Sequence, residues 1–82
     1  MASHLLFECN FDYIHQAKIA VQNALGIQFV LHDSLHYGGD YYLYELGEES
    51  FRIFLNQDFE GESIADEVED ISKILLRMFP RI

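Results

Sequence analysis

Two runs, "YYLYEL" (41–46) and "SFRIFLN" (50–56), stand on either side of "GEE" (47–49). Both are rich in aromatic and β-branched residues, which suit a pleated, half-buried surface. Three residues containing a glycine make a hairpin loop of a common length class. This pattern commits the chain to an antiparallel pair, and a sheet must bury one face against another layer. In the first run Tyr42 and Tyr44 share one face, with Tyr41 and Leu43 on the other. Arg52, between Phe51 and Ile53, is expected to face out.

The flanking segments supply the rest of the fold. "HLLFECNF" (4–11) reads as a short apolar strand, and Asp12 can cap a helix beginning just after it. In "YIHQAKIAVQNAL" (13–25), Ile14, Ala17, Val21, Ala24 and Leu25 recur at helical spacing, and Gly26 stands where a helix would stop. "IQFVLHD" (27–33) alternates as a strand does, with Ile27, Phe29 and Leu31 on one side. "SLHYGGD" (34–40) is a loop or wide turn punctuated by Gly38 and Gly39.

The last segment admits two readings. Ile64, Val68, Ile71, Leu75 and Met78 step by 4, 3, 4 and 3, an amphipathic helical stripe. Ser63 and Asp66 resemble a capping box, acids fill the first half, and Lys73 and Arg77 the second, as the helix dipole favours. The spacing predicts a helix over 64–79. The competing reading is a short acidic turn followed by a strand, "KILLRMF". With the helix, the expected fold is α+β: a single domain over 1–82, β-α-β-β-β-α. It is a two-layer sandwich of about four mainly antiparallel strands with two helices on one face.

Composition excludes several functions. Half of the 82 residues are apolar and 15% aromatic, too many for a disordered chain, although the core of so small a domain is thin. Fourteen acids against five bases give a net charge of −9. That charge argues against direct binding to nucleic acid or to an anionic membrane, which need positive charge. No stretch approaches the ~20 apolar residues of a membrane span. The start, "MASHLLFECNF", lacks a basic n-region, so no secretory signal is expected, and a lone cysteine, Cys9, fits a reducing cytoplasm.

Catalytic and metal chemistry find little material. His32 and His36 are four apart but fall across a strand end and a loop, so their rings share no helix face. Asp58 to Glu69 places acids or hydroxyls at several EF-hand positions, yet Ser63 stands where the loop needs glycine, and the preceding element reads as a strand. No serine lies in a nucleophile frame, and Cys9 sits in an apolar run. "GGD" lacks the lysine and the helix of a phosphate loop. The expectation is a protein that is not an enzyme, with no catalytic residue, metal or cofactor.

What remains is a binding surface. Tyr37, Tyr41, Tyr42 and Tyr44 lie within eight residues, and tyrosine is enriched at protein interfaces. Ten of the fourteen acids lie between Glu45 and Asp70, against one base, Arg52. The hairpin acids Glu48 and Glu49 and the acidic segment 58–70 are expected to form one negative zone. Such a zone speeds association with a basic partner. The alternative for each is plain: rings that cover the sheet, and acids that solvate a helix. Within 58–70, helix capping accounts for Asp66 and Glu67, but not for Asp58, Glu60 and Glu62.

"GGDYYLYELGEESFRIFLNQDFEGE" (38–62) resembles small acidic immunity proteins of bacterial toxin–immunity systems, such as those of contact-dependent growth inhibition. The likeness rests on Gly38-Gly39-Asp40-Tyr41-Tyr42, on Asn56, and on Asp58 with Gly61-Glu62. It covers less than a third of the chain. It implies a cytoplasmic protein, monomer or weak dimer, that binds one cognate toxin with a basic surface, often a nuclease, and blocks its active site or an adjacent surface. The expected contact residues are Tyr37, Asp40, Tyr42, Tyr44, Glu48, Glu49, Asp58, Glu60 and Glu62. The relatives implied by this likeness end in a strand, which conflicts with the helical reading of 64–79 and leaves both readings open. A small acidic secretion chaperone or a nucleic-acid mimic is the alternative function.

Overall fold

The computed structural model describes residues 4–80, and most of the segments read as strands form strands, although the second begins at Val30 rather than Ile27. The elements are β1 (Leu5–Cys9), α1 (Ile14–Leu25), β2 (Val30–Ser34), a 3₁₀ turn (Leu35–Tyr37), β3 (Gly39–Leu46), β4 (Glu49–Leu55) and β5 (Ile74–Phe79). They build a five-stranded sheet in the order β1-β5-β4-β3-β2, antiparallel at every pair. β1 and β2 are therefore the two edges, and α1 carries the chain between them across one face.

The class is α+β, as the sequence implies, but the sheet has five strands rather than four and one α-helix rather than two. Residues 64–73 form turns and bends, and "ILLRMF" is β5, an interior strand of the sheet between β1 and β4. The helical spacing over 64–79 is thus a coincidence of two patterns. Ile64 and Val68 do pack with Leu75, but from a connection folded over the sheet. Within β5, Ile74 and Leu76 face α1, while Leu75 faces the other way. A strand buried on both faces reads as a continuous apolar run, which periodicity alone does not separate from a helix.

Two cores result. Beneath α1, Ala17, Phe29, Phe51, Ile53, Ile74 and Leu76 are buried together, with Tyr42 and Tyr44 against them. Ala17 is fully buried, and its small side chain lets the helix approach the sheet closely. On the opposite face Phe54, Leu75 and Ala65 form the second core, joined by Tyr37, Tyr41, Ile64 and Val68. The connection between β4 and β5, expected as a second helix on the same face as α1, instead covers the opposite face.

The hairpin is tighter than the sequence suggests. Leu46 pairs with Glu49, so the loop is Gly47–Glu48 alone. Gly47, at the first central position, has φ 60°, the left-handed backbone of a two-residue hairpin turn. α1 ends as expected, with Gly26 left-handed at φ 68° and its N–H on the Gln22 carbonyl. Its start differs: the Gln16 side-chain oxygen accepts from the backbone N–H groups of both Asp12 and Tyr13, each at 3.0 Å. Gln16 does the capping that Asp12 was expected to do.

Candidate functional site: an acidic and aromatic cleft

Where β4 leaves the sheet, its C-terminal end, the start of α1 and the turn before β3 converge. They enclose a cleft of about 500 Å³, with Asp12, Asp40 and Asp58 among its lining residues. No lysine or arginine lines it. Tyr13 and Phe59, 69% and 62% exposed, stand on its walls.

Each wall has a local cause. Asp58 sits in a loop that it closes itself: its Oδ1 accepts from the N–H groups of Glu60 (2.9 Å) and Glu62 (3.0 Å), and its own N–H donates to the Glu62 carbonyl (2.9 Å). Gly61, at φ 81°, allows the turn. The next amide, Phe59 N–H, donates to the Leu35 carbonyl at 3.3 Å and ties this loop to the 3₁₀ turn. Gly38 lies between them with φ 72°, and any Cβ there would run into the Gln57 carbonyl. Glycine at 38 is thus required twice, by its dihedral and by the close approach of the 57–58 backbone.

The remaining lining is ordered by aromatic contacts. Tyr37 stacks on Tyr41 at 4.2 Å between centroids and leans on Phe54 at 5.1 Å. Burial pushes its phenol pKa up, and the cations Arg52 and Arg77 offset part of that. Opposite, His15 Nδ1 lies 3.3 Å from the Tyr42 hydroxyl, a bridge between α1 and β3. Lys18 sits over the Tyr42 ring at 5.3 Å. Three carboxylates among aromatic rings, without a cation of their own, suit a guanidinium or ammonium group supplied from outside.

Of the residues expected to bind a partner, Tyr37, Asp40 and Asp58 line the cleft. Tyr42 touches it through His15. Glu60 and Glu62 are exposed on the loop that Asp58 closes. Tyr44, Glu48 and Glu49 are elsewhere: the Tyr44 hydroxyl donates to the Glu49 carboxylate at 3.5 Å, and Glu48 is in the hairpin turn. The seven residues of β4 separate that turn from Asp58, so the hairpin acids and the 58–62 acids lie at opposite ends of the strand and do not form one zone. Asp12, Tyr13, His15 and Phe59 were not anticipated. The one signal for Phe59 was an aromatic ring set between acids in "DFE", with no apolar period to bury it.

Other chemistries leave a lighter trace. Among the described residues no group of three or more His, Cys, Asp or Glu is placed to hold a metal ion. The His32 ring lies against Tyr41 and the His36 ring against Tyr37. Cys9 is half-buried, and burial pushes its thiol pKa up, away from the reactive thiolate. Among the described residues no helix is long and apolar enough to cross a membrane. Arg52, expected to face out, is half-buried on the face opposite α1, with its guanidinium 5.4 Å from the Phe79 ring centre. Fold and cleft together define a small acidic α+β protein with a cleft lined by three aspartates and by aromatic rings. The chain matches no family model, no curated protein and no solved structure.

Proposed function

We propose that this chain is an immunity-type inhibitor, which binds one cognate toxin in the cytoplasm and blocks the basic surface on which that toxin acts. The observation that carries the reading is the cleft. Asp12, Asp40 and Asp58 line a common space beside Tyr13, Tyr37 and Phe59, with no lysine or arginine in the lining. An incoming arginine or lysine finds carboxylates for its charge and rings for its stem. Aromatic anchors supply the buried contact, and the overall charge of −9 supplies the association rate. A nuclease-type toxin fits best, because its substrate groove must be basic to hold phosphates. On this reading the protein is a stoichiometric inhibitor and not an enzyme, and it needs no cofactor.

Co-expression with the product of the adjacent reading frame tests this. Cells making both proteins should survive, and cells that also carry Asp12→Lys and Asp40→Lys in the inhibitor should die. These two positions are exposed and make no side-chain contact on which the fold depends. Death of cells carrying the unaltered pair overturns the reading. A secretion chaperone is the second reading, favoured by an apolar groove between α1 and β1. That function calls for a stable dimer, so a monomeric mass by light scattering counts against it.

A further inference from the structure

The geometry points to the outer edge of β1 as a docking site for an extended segment of a basic protein, added as a strand whose side chains alternate apolar and basic. This deepens the inhibitor reading, and rests on it only in taking the occupant for a protein.

β1 is an edge strand, paired on one side with β5, and among the described residues nothing pairs with its other side. Edge strands expose a row of backbone N–H and C=O groups, and proteins blunt them with lysine or proline. "LLFEC" contains neither.

The two faces flanking this edge differ in chemistry. α1 lies chiefly over β3 and β4, so the helix side of β1 is thinly covered. Leu5 and Phe7 pair with Met78 and Leu76 and point to that side, yet are 51% and 48% exposed. Phe7, Leu25, Met78 and Val21 line a groove of about 400 Å³ there, apolar along nearly its whole wall. On the opposite face Glu8 meets Glu67, Glu69 and Asp70 around an open hollow of about 810 Å³, floored by Leu6 and Val68. A strand's side chains alternate faces. A segment paired with β1 therefore sends every second side chain into the apolar groove and the intervening ones toward four carboxylates.

That alternation selects the occupant. A second copy of this chain, pairing β1 with β1, would bring its own Glu8, Glu67, Glu69 and Asp70 to the same edge, and like charges facing each other across a strand pair are destabilising. A segment with Lys or Arg at alternate positions meets the same carboxylates with opposite charge.

A synthetic peptide of about ten residues, alternating Val or Leu with Lys or Arg, tests the site on the isotope-labelled full chain. Saturable shifts should centre on the Leu5–Cys9 amides, with new hydrogen-exchange protection in β1. Two further peptides carry N-methyl groups, one at odd and one at even positions. Strand pairing requires that one of them bind about tenfold more weakly while the other binds as before, since only alternate amides face β1. Glu67→Lys with Glu69→Lys, both on an exposed turn, should also weaken binding about tenfold or more. Equal binding of both methylated peptides overturns the proposal, as do shifts centred on Asp12, Asp40 and Asp58. Protection of β1 in a peptide-free dimer overturns it in favour of a second copy. Peptide binding without protection from the toxin sinks the inhibitor reading alone. Protection from the toxin without peptide binding sinks the docking edge alone.

Discussion

One side chain decides the fate of the last third of the chain. Asn56 is fully buried at the end of β4. Its Oδ1 accepts from the N–H groups of Ile64 (2.9 Å) and Ala65 (2.8 Å), and its Nδ2 donates to the carbonyls of Val68 (2.8 Å) and Asp70 (3.2 Å). Those four backbone groups are held by a side chain from another element, so a regular helix through 64–70 is unnecessary for their satisfaction. Asn56→Leu strands two N–H groups and two carbonyls, and should cost about 3 kcal/mol in urea unfolding. Asn56→Asp keeps the acceptor but loses the donor and buries a charge, so it should lose stability as well. Wild-type midpoints for both variants would show that the clamp is not what holds the connection. Gly38→Ala is the second residue-scale case. Its left-handed backbone and its contact with the Gln57 carbonyl predict a loss of about 2 kcal/mol or more, with amide shifts at 57–59 marking where the backbone gives way.

At the scale of elements, the connection between β4 and β5 is a set of side-chain-closed turns with a measurable pH signature. Asp70 Oδ1 accepts from the Ser72 hydroxyl (2.6 Å) and the Ser72 N–H (2.9 Å). The hydroxyl, then the amide, hold the Asp70 pKa below its ordinary 3.8. By linkage, a carboxylate whose pKa is depressed in the folded state stabilises the fold above its unfolded pKa, and that contribution disappears as pH falls through the folded value. The Asp70 carboxyl should therefore titrate below 3.8 by NMR, and Ser72→Ala should bring it back toward that value. An unchanged midpoint in the variant would mean that Ser72 does not set it. The hairpin and α1 were legible because each announces itself locally, through period-two aromatics around a glycine or through helical spacing ending at Gly26. β5 was legible only as the competing reading, the strand in "KILLRMF", because a strand buried on both faces carries no alternation and its Ile and Leu also fit a helical stripe. The cleft was half legible: Tyr37 and Asp40 are close along the chain, and the β3–β4 hairpin returns Asp58 beside them. Asp12, Tyr13 and His15 reach them only because α1 crosses the sheet, a long-range fact that no local pattern contains.

For the whole molecule, charge and size act together. The body measures 31 × 30 × 21 Å and carries a net −9. At ~0.01 M salt the Debye length is ~30 Å, so acids at one end feel those at the other; at ~1 M it is ~3 Å and only neighbours interact. Local compensation is sparse, since among the described residues the one ion pair joins His4 and Glu67, and it forms only when the histidine is protonated. Self-repulsion should therefore weaken the fold at low salt, and raising NaCl from ~0.01 to ~0.5 M should move the urea midpoint upward. The same screening should act oppositely on function. Association with a basic partner should slow by ~10–1000-fold over that range, because steering depends on the field that the fold must otherwise endure. Stopped-flow binding and equilibrium unfolding in matched buffers separate the two effects. Opposite slopes mean that the acids are kept for an encounter at a cost in stability. A midpoint indifferent to salt would mean that the acids do not repel within the fold, and an association rate indifferent to salt would remove electrostatic steering from the proposed function.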